Sequence, residues 1–257
     1  MIDLTGKTAL ITGAGRGIGE AVSIKLAECG ANVVLLARTE GDIQRVADQI
    51  GSRAVAQVCD VTRYADVEKA VATCARQFGG VDICVNNAGT IDPIARIEDS
   101  DPEQWGQVVD INVKGVYHCM HAVYSLIKAD GGGVIINLSS GAATNALEGW
   151  SHYCATKAAV LSLTRCGHKE WADEGIRVVG LSPGTVATGM QESIRDSRIN
   201  PVSQLDWSAH ISVEDVAQAV AWLTQEEARS FDGQDFSLKT TEGRAMAGLP
   251  DRPRSCT

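Results

Sequence analysis

The sequence lacks any hydrophobic run long enough to cross a bilayer, and it has no basic leader at its N-terminus. Its first apolar stretch, Thr8–Ile11, is far shorter than the roughly 20 residues that a membrane-spanning helix needs. We therefore expect a soluble, cytoplasmic protein that has no membrane partner.

Positive charge is also in short supply. The chain carries 23 lysines and arginines against 32 aspartates and glutamates, which gives a formal net charge of −9. A negative surface repels phosphate backbones, so we expect no nucleic-acid partner. Aromatic residues make up only 5% of the sequence, so aliphatic side chains must build most of the core.

Metal-binding and disulfide patterns are missing as well. The eight cysteines are scattered without any Cys-x-x-Cys pair, which predicts reduced thiols. His118 and His121 have helical spacing, but no cysteine or carboxylate pattern accompanies them, and we predict no metal site.

What the sequence does contain is an alternation of short apolar runs, rich in β-branched residues, with longer helical patterns such as Ile18–Cys29 and Val67–Phe78. This alternation predicts one doubly wound α/β domain over residues 1–257, with a mainly parallel seven-stranded sheet and helices on both faces. The predicted strands are Thr8–Thr12, Asn32–Ala37, Ala54–Val58, Asp82–Asn86, Val134–Leu138, Arg177–Leu181 and Gln234–Leu238.

Two segments depart from the alternation. Gly189–His210 is polar and follows the sixth predicted strand, so it is either a mobile flap over a ligand site or a plain surface loop. The polar tail Thr240–Thr257 is either loose or reaches the pocket of a neighbouring subunit.

A glycine-rich turn joins the first predicted strand to the first helix, with the pattern T-G-x-x-x-G-x-G from Thr12 to Gly19. Glycines in such a turn let phosphates approach backbone N–H groups at a helix N-terminus. We predict that this turn holds a dinucleotide through Gly13, Gly15, Arg16, Gly17, Ile18 and Gly19.

The end of the second strand indicates which dinucleotide. An enzyme that prefers NAD usually has a carboxylate there for the ribose 2′-hydroxyl, but this chain has Ala37 followed by Arg38. Arg38 and Arg16 can converge on a 2′-phosphate, which favours NADP(H). The alternative is two solvated surface arginines.

Further motifs follow in a fixed order: Cys59-Asp60-Val61, Asn86-Asn87-Ala88-Gly89, Asn112, Ser139-Ser140, Tyr153-x-x-x-Lys157 and Pro183-Gly184. With them the sequence resembles the short-chain dehydrogenase/reductase family from Lys7 to about Leu238. Within that family it is most similar to the 3-oxoacyl-carrier-protein reductase group.

The resemblance implies roles for these residues. Lys157 would bind the nicotinamide ribose beside Tyr153, and Asn112 would be a proton-relay residue. Family members assemble as homotetramers or dimers, here through Pro102–Ala129 and His152–Ala172. The remaining cofactor contacts implied are Asp60 and Val61 at the adenine, Asn86, Asn87, Ala88 and Gly89 along the cofactor, and Pro183, Gly184, Val186 and Thr188 at the nicotinamide end.

The pairing of Tyr153 with Lys157 can be argued from the residues themselves. They are four residues apart in a helical pattern and share one face. A free phenol has a pKa of about 10, and a nearby ammonium should lower it, as a general acid–base requires. The resemblance implies that Ser140, thirteen residues before Tyr153, donates a hydrogen bond to the substrate oxygen, so Ser140 and Tyr153 are the predicted substrate contacts. Ser139 should point to the other face.

The predicted function is an NADP(H)-dependent oxidoreductase acting on a carbonyl or secondary alcohol. The substrate is either an acyl thioester or a sugar, polyol or small ketone, because the scaffold does not settle it. Leu147, Trp150 and Met190 are candidate pocket walls. A protein that only senses NADP(H) is the alternative, but such a protein is expected to have lost part of the Asn112, Ser140, Tyr153 and Lys157 tetrad.

Overall fold

Buried β-branched runs form the strands of this computed structural model, which describes residues 1–251. The seven strands are β1 Thr8–Thr12, β2 Asn32–Ala37, β3 Ala54–Val58, β4 Ile83–Asn86, β5 Gly133–Leu138, β6 Ile176–Ser182 and β7 Asp235–Ser237. Each lies within one residue of its predicted bounds at either end, so the strand predictions are confirmed.

All seven strands are parallel and form one sheet in the order β3-β2-β1-β4-β5-β6-β7. The order reverses between β1 and β4, which leaves a crevice at the carboxyl ends of these two strands. Ligands bind at such switch points in open α/β sheets. The predicted fold class is therefore confirmed, and the sheet itself indicates where to look for a site.

Nine α-helices are assigned within residues 1–251. They are α1 Gly17–Glu28, α2 Glu40–Ile50, α3 Tyr64–Phe78, α4 Pro102–Val109, α5 Gly115–Ala129, α6 Ser151–Trp171, α7 Gly189–Ser197, α8 Val213–Leu223 and α9 Thr241–Met246. None of the helices in this part of the chain is long and apolar enough to span a bilayer.

The helices cover both faces of the sheet. One face packs Leu26 of α1 and Val220 of α8 against Ile11 and Val179. The other packs α3, α5 and α6 against Leu10, Val34 and neighbouring strand residues. Because successive strand side chains point to opposite faces, strands β1 to β6 contribute to both cores, whereas β7 contributes Phe236 to the first.

The single helix predicted for Pro102–Ala129 is instead two α-helices joined by a π-helical turn, Asp110–Lys114. A π turn inserts one extra residue and often occurs at functional sites. It turns the Asn112 side chain inward, where its amide bonds to Thr90 and Thr156. These tertiary contacts compensate for the break, and helical periodicity alone does not reveal them.

The segment Gly189–His210 is neither a loose loop nor featureless. It contains α7 and two 3₁₀ turns, Pro201–Gln204 and Trp207–Ala209. Ile194 is buried, and the amide of buried Asn200 donates to the carbonyl of Glu148. The interpretation as a plain surface loop is therefore wrong, because this segment packs over the carboxyl ends of the strands.

The start of the C-terminal tail is also anchored. Thr240 caps α9, and the buried Arg244 pairs with Asp215 at 2.9 Å and donates to the carbonyl of Pro250. The expectation of a loose tail is therefore wrong for residues 240–251. The rest of the tail, residues 252–257, lies outside the described residues.

Candidate active site

The glycine-rich turn lines one wall of a groove of about 420 Å³ at the carboxyl ends of β1, β2 and β4. Gly17 begins α1 with φ of 56°, a left-handed conformation that favours glycine. Gly19 lies so close to the carbonyl oxygen of Gly13 that an added Cβ would be 2.1 Å from it. Gly19 therefore packs against the backbone of Gly13 and does not line the groove.

Thr12 fastens the turn to the loop after β4. Its hydroxyl accepts hydrogen bonds from the backbone N–H groups of Asn87 and Ala88, both at 2.9 Å. The Asn87 amide returns a bond to the carbonyl of Thr12 at 2.9 Å. Thr12 is the first residue of the glycine-rich motif, but its hydrogen bonds to the loop after β4 are visible only in the structure.

Asn86 is placed differently from its three neighbours. Asn87, Ala88 and Gly89 line the groove, whereas Asn86 is buried and donates to the side chain of Asn137 on β5 at 2.8 Å. Its amide thus crosslinks β4 and β5 inside the sheet. Asn86 therefore does not line the groove, and its amide supports the sheet.

The end of the groove beyond β2 carries charge. The exposed Arg16 and Arg38 both line it, and neither guanidinium forms an ion pair within residues 1–251. Asp42 of α2 and Asp60 after β3 line the same groove, so its lining carries two positive and two negative side chains. The two guanidinium groups are available to an anionic group in an otherwise acidic protein.

The Cys59-Asp60-Val61 motif lines the groove where the chain leaves β3, the neighbour of β2. Asp60 accepts bonds from the backbone and hydroxyl of Thr62, which fixes the loop after β3. The carbonyl of Val61 is bonded to the His118 ring at 2.8 Å. His118 therefore holds the backbone of Val61, a predicted adenine contact, in place. Its spacing with His121 does not predict this role.

A second cleft of about 540 Å³ continues from the groove, and the two share Ile18, Asn87, Gly89, Thr188 and Met190. The candidate walls Leu147, Trp150 and Met190 all line it. So do the predicted site residues Ser140, Tyr153, Lys157, Pro183, Gly184, Val186 and Thr188. Further residues that belong to none of the motifs line the cleft, among them Ile91, Gln191, Ile194, Val202 and Lys239.

Ser139 and Ser140 point in different directions at the end of β5, as strand alternation predicts. The Ser139 hydroxyl donates to Asp235 of β7 at 3.1 Å. Ser140 caps a 3₁₀ turn by accepting from Ala142 at 3.2 Å, and it is hydrogen-bonded to Tyr153. Ser140 and not Ser139 therefore joins the tyrosine.

Tyr153 and Lys157 lie one helical turn apart on α6, and both are buried. The Lys157 Nζ donates to the carbonyl of Leu138 at 2.6 Å and lies 5.6 Å from the centre of the Tyr153 ring. The indole of Trp150 packs edge-on against the same ring at 5.7 Å. The phenol is thus held by contacts on several sides.

Burial dominates the electrostatics of this pair. It raises the pKa of Tyr153 to about 12, while the bond with Ser140 opposes the shift. It also lowers the pKa of Lys157 to about 8, which Asp235 partly counteracts. The pKa of the phenol is thus raised by loss of solvent, and Lys157 is not among the groups that shift it in this structure.

Asn112 does not line either cavity. Both protons of its amide are donated, one to the carbonyl of Thr90 at 2.8 Å and one to the hydroxyl of Thr156 at 3.1 Å. Its oxygen accepts from the backbone of Thr90 at 2.9 Å. The side chain therefore ties α6 to the loop after β4, next to Lys157, and has no proton left to pass on.

No group of three or more metal-ligating side chains is found within residues 1–251. His121 is bonded to the hydroxyl of Tyr64 at 2.8 Å, and buried His152 to the carbonyl of Ile91 at 2.6 Å. These histidines therefore serve as structural hydrogen-bonding groups.

The groove fits a dinucleotide on the chemistry of its walls. Within the described residues no side chain caps the N-terminus of α1, so its first N–H groups are left for an anionic ligand. Gly15, Gly17 and Ile18 line this end and leave the backbone accessible. The cleft beyond holds the phenol and the ammonium. A diphosphate would lie at the helix N-terminus, with the reacting end in the cleft.

Comparison with known proteins agrees with this arrangement. The family model described as short chain dehydrogenase matches residues 7–199. The chain is similar to a cyclohexanol dehydrogenase of an Acinetobacter species, at 33% identity over 90% of this chain and 92% of that protein. It is also similar to an uncharacterized oxidoreductase of Staphylococcus aureus, at 35% identity over 88% and 94%.

Solved structures resemble it throughout. A 3-ketoacyl-(acyl-carrier-protein) reductase from Brucella melitensis, complexed with NADH, has a TM-score of 0.82 and 34% identity, covering 92% of this chain and 98% of that one. A short-chain type dehydrogenase/reductase from Mycobacterium marinum has a TM-score of 0.84 and 33% identity, covering 92% and 95%. The chain belongs to the short-chain dehydrogenase/reductase family and is an oxidoreductase with the dinucleotide-binding fold of that family.

Proposed function

We propose that this protein interconverts a carbonyl compound and a secondary alcohol with NADP(H), using Tyr153, Lys157 and Ser140 in the cleft and Asn112 behind it. The observation that carries the proposal is the meeting of three groups on one wall of the cleft. These are the Ser140 hydroxyl, the buried phenol and the buried ammonium, and the dinucleotide groove continues directly into the cleft.

Tyr153 is the proton donor for reduction. With a pKa of about 12 the phenol is protonated at neutral pH, and an alkoxide formed from a ketone is basic enough to take its proton. Ser140 shares the substrate oxygen and stabilises the negative charge that develops there. A bound nicotinamide supplies the hydride or accepts it, while the protein contributes orientation and electrostatics.

Lys157 positions the reacting groups. Its bond to the carbonyl of Leu138 holds the ammonium at the floor of the cleft, where it is available to ribose hydroxyls. Asn112 keeps this part of α6 in place through its bond to Thr156, adjacent to Lys157. Because its amide protons are committed, we assign Asn112 a positioning role and not a relay through its side chain.

The preference for NADP(H) rests on the charge at the far end of the groove. Arg16 and Arg38 line this end without an ion pair to a carboxylate of residues 1–251, and Ala37 stands where a carboxylate would select NAD. The NADH bound to the Brucella melitensis relative makes NAD(H) the competing choice. Two guanidinium groups that can share one phosphate support NADP(H) here.

The names of the relatives point to different substrates. The name of the Acinetobacter relative points to a small secondary alcohol, and that of the Brucella melitensis relative to an acyl thioester. The largely apolar wall formed by Ile91, Leu147, Trp150, Ile194 and Val202 supports a small, mainly apolar ketone or alcohol.

Initial rates of NADPH oxidation test the proposal. The panel should include cyclohexanone, a keto sugar, a small diketone and an acetoacetyl thioester, with NADH run beside NADPH. We expect reduction of at least one small ketone. NADPH binding without turnover of any ketone or thioester would contradict the proposed reaction and favour a sensor of NADP(H).

We further propose a cytoplasmic homo-oligomer, a tetramer or a dimer. The seven free cysteines of the described residues support a reducing compartment. Tyr117 on α5 is a large, exposed side chain, which supports assembly through that helix. Light scattering of the purified protein gives the oligomeric state, and a monomer would contradict this part of the proposal.

A further inference from the structure

The charges around the substrate cleft are one-sided. Among its lining residues the charged side chains are Lys157 and Lys239, and no aspartate or glutamate lines the cleft within residues 1–251. The whole chain, in contrast, has a net charge of −9. An acidic protein repels anions at long range, so a cleft with only ammonium groups is a local exception.

Lys239 stands at the edge of this cleft for a structural reason. It follows β7 directly, at the carboxyl edge of the sheet. Its aliphatic stem lies against Gly184, where an added Cβ would come within 3.0 Å of the Lys239 Cγ and 3.2 Å of Ile211. The bare Gly184 therefore provides the surface on which the stem rests, and the stem brings the ammonium to the cleft.

Within residues 1–251 no carboxylate forms an ion pair with this ammonium. Asp235 of β7 is bonded to Ser139 and interacts with Lys157. The Lys239 side chain is thus an exposed cation beside a largely apolar pocket.

We propose that the substrate carries a carboxylate as well as its carbonyl or hydroxyl group, and that Lys239 binds this carboxylate at the edge of the cleft. The inference rests on the proposed function, since it names the class of compound that Tyr153 protonates. It predicts a keto acid and hydroxy acid pair with an apolar body. The body packs on Leu147, Trp150 and Val202, and the charged end stays near solvent.

A charged contact at a rim orients a substrate more than it accelerates the chemistry. Its loss should therefore raise KM and leave kcat nearly unchanged, the signature of binding that is equal in the ground and transition states. An ion pair near the surface is also screened by salt. The preference for an acid over its ester should accordingly fall as ionic strength rises.

The test compares matched acids and esters with NADPH: acetoacetate and levulinate, each beside its methyl ester. For the wild type we expect kcat/KM to be at least about tenfold higher for the better acid than for its ester. Lys239→Met should remove most of this advantage while changing the rate with the esters by less than about twofold. Lys239→Arg should restore it, because the charge returns.

Lys69→Met is the matched control. Lys69 is an exposed lysine on α3 that lines neither cavity, and its substitution changes the net charge by the same amount. Its acid preference should equal that of the wild type. If Lys69→Met and Lys239→Met reduce the acid preference equally, the effect comes from net charge and the inference is overturned.

The other outcomes are equally decisive. Faster turnover of the esters, or of cyclohexanone alone, would overturn the carboxylate inference and leave the proposed reaction standing. A phosphorylated ketone, dihydroxyacetone phosphate, that outperforms both acids would assign the Lys239 site to a phosphate monoester instead. Failure to reduce any ketone would overturn the proposed function and this inference with it.

Discussion

The Ser139 hydroxyl donates a 3.1 Å hydrogen bond to Oδ2 of Asp235, a carboxylate whose other oxygen is buried without a partner within residues 1–251. Burial raises the pKa of Asp235 to about 6, and Lys157 is one of the groups that opposes this shift. Asp235 does not line the cleft, yet it raises the pKa of Lys157, which does.

Asp235→Asn should change the pH dependence of the enzyme. Asp235 raises the pKa of Lys157 against the effect of burial, so its neutralisation should lower that pKa below about 8. A lysine is cationic only below its pKa, and cofactor binding should therefore weaken at a lower pH than in the wild type. The pH profiles of kcat and of the cofactor Kd measure the shift.

Ser139→Ala serves as the control for Asp235→Asn, because it removes the hydrogen bond and leaves the carboxylate charge in place. We expect it to lack the downward shift of the profile. Identical profiles for the wild type and Asp235→Asn would show that the carboxylate has only a structural role.

Tyr153→Phe should bind NADPH as the wild type does and lose turnover by about two to four orders of magnitude, the usual contribution of a positioned proton donor. Tyr124→Phe is a matched control, because the Tyr124 hydroxyl bonds to Glu174 away from the cleft. Fluorescence titration and initial rates separate binding from chemistry. Substantial residual turnover in Tyr153→Phe would assign the proton to another group.

The two directions of the reaction should respond differently to pH. Reduction needs the protonated phenol, which predominates at all pH values below about 12, and the cationic Lys157, which is lost above about 8. Reduction should therefore be flat near neutrality and decline above about pH 8. Oxidation needs the phenolate, so its rate should rise with pH until Lys157 titrates. Initial rates in both directions test this, and parallel profiles would contradict it.

Arg38→Asp should make the groove lining net negative and reduce the NADPH preference by at least about tenfold, since a carboxylate repels the 2′-phosphate and accepts from a 2′-hydroxyl. Arg53→Asp makes the same charge change at an exposed position outside the groove. The ratio of kcat/KM for NADPH and NADH measures the effect. An unchanged ratio in Arg38→Asp would rule out the guanidinium as a 2′-phosphate contact.

Arg244→Met should destabilise the fold. Arg244 is buried and pairs with the less buried Asp215, so its removal leaves a carboxylate and the carbonyl of Pro250 without their donor. We expect the free energy of unfolding to fall by about 2 kcal/mol. Arg229→Met, which breaks an exposed pair with Glu226, should cost much less, because solvent screens that pair. Chemical denaturation measures both, and equal losses would contradict the assignment.

The strands and the glycine turn could be predicted because their signals are local. A buried parallel strand is a short apolar run whatever surrounds it, and the turn after Thr12 needs glycine for its own geometry. Tyr153 and Lys157 could be paired because helical spacing places them on one face. These predictions required no knowledge of what packs against the residues.

The properties that escaped prediction all depend on partners distant in sequence. The pKa of Tyr153 is set by the walls that exclude water from it. Asn86 and Asn112 lie in motifs, yet their amides are committed to Asn137, Thr90 and Thr156. Lys239 is an ordinary surface lysine in the sequence, and only the bare backbone of Gly184 makes it a rim residue of the cleft.

The π turn between α4 and α5 has a consequence for how the chain tolerates change. One residue rotates a helix by about 100° about its axis. The extra residue therefore makes the apolar face of α4 and the apolar face of α5 point in different directions. The two halves accordingly contact different elements, α6 for α4, and α3 with β4 and β5 for α5. Deleting one residue from this turn would make the helix regular but would rotate the apolar face of one half away from its partners. The protein with the more ideal helix would therefore be less stable than the wild type.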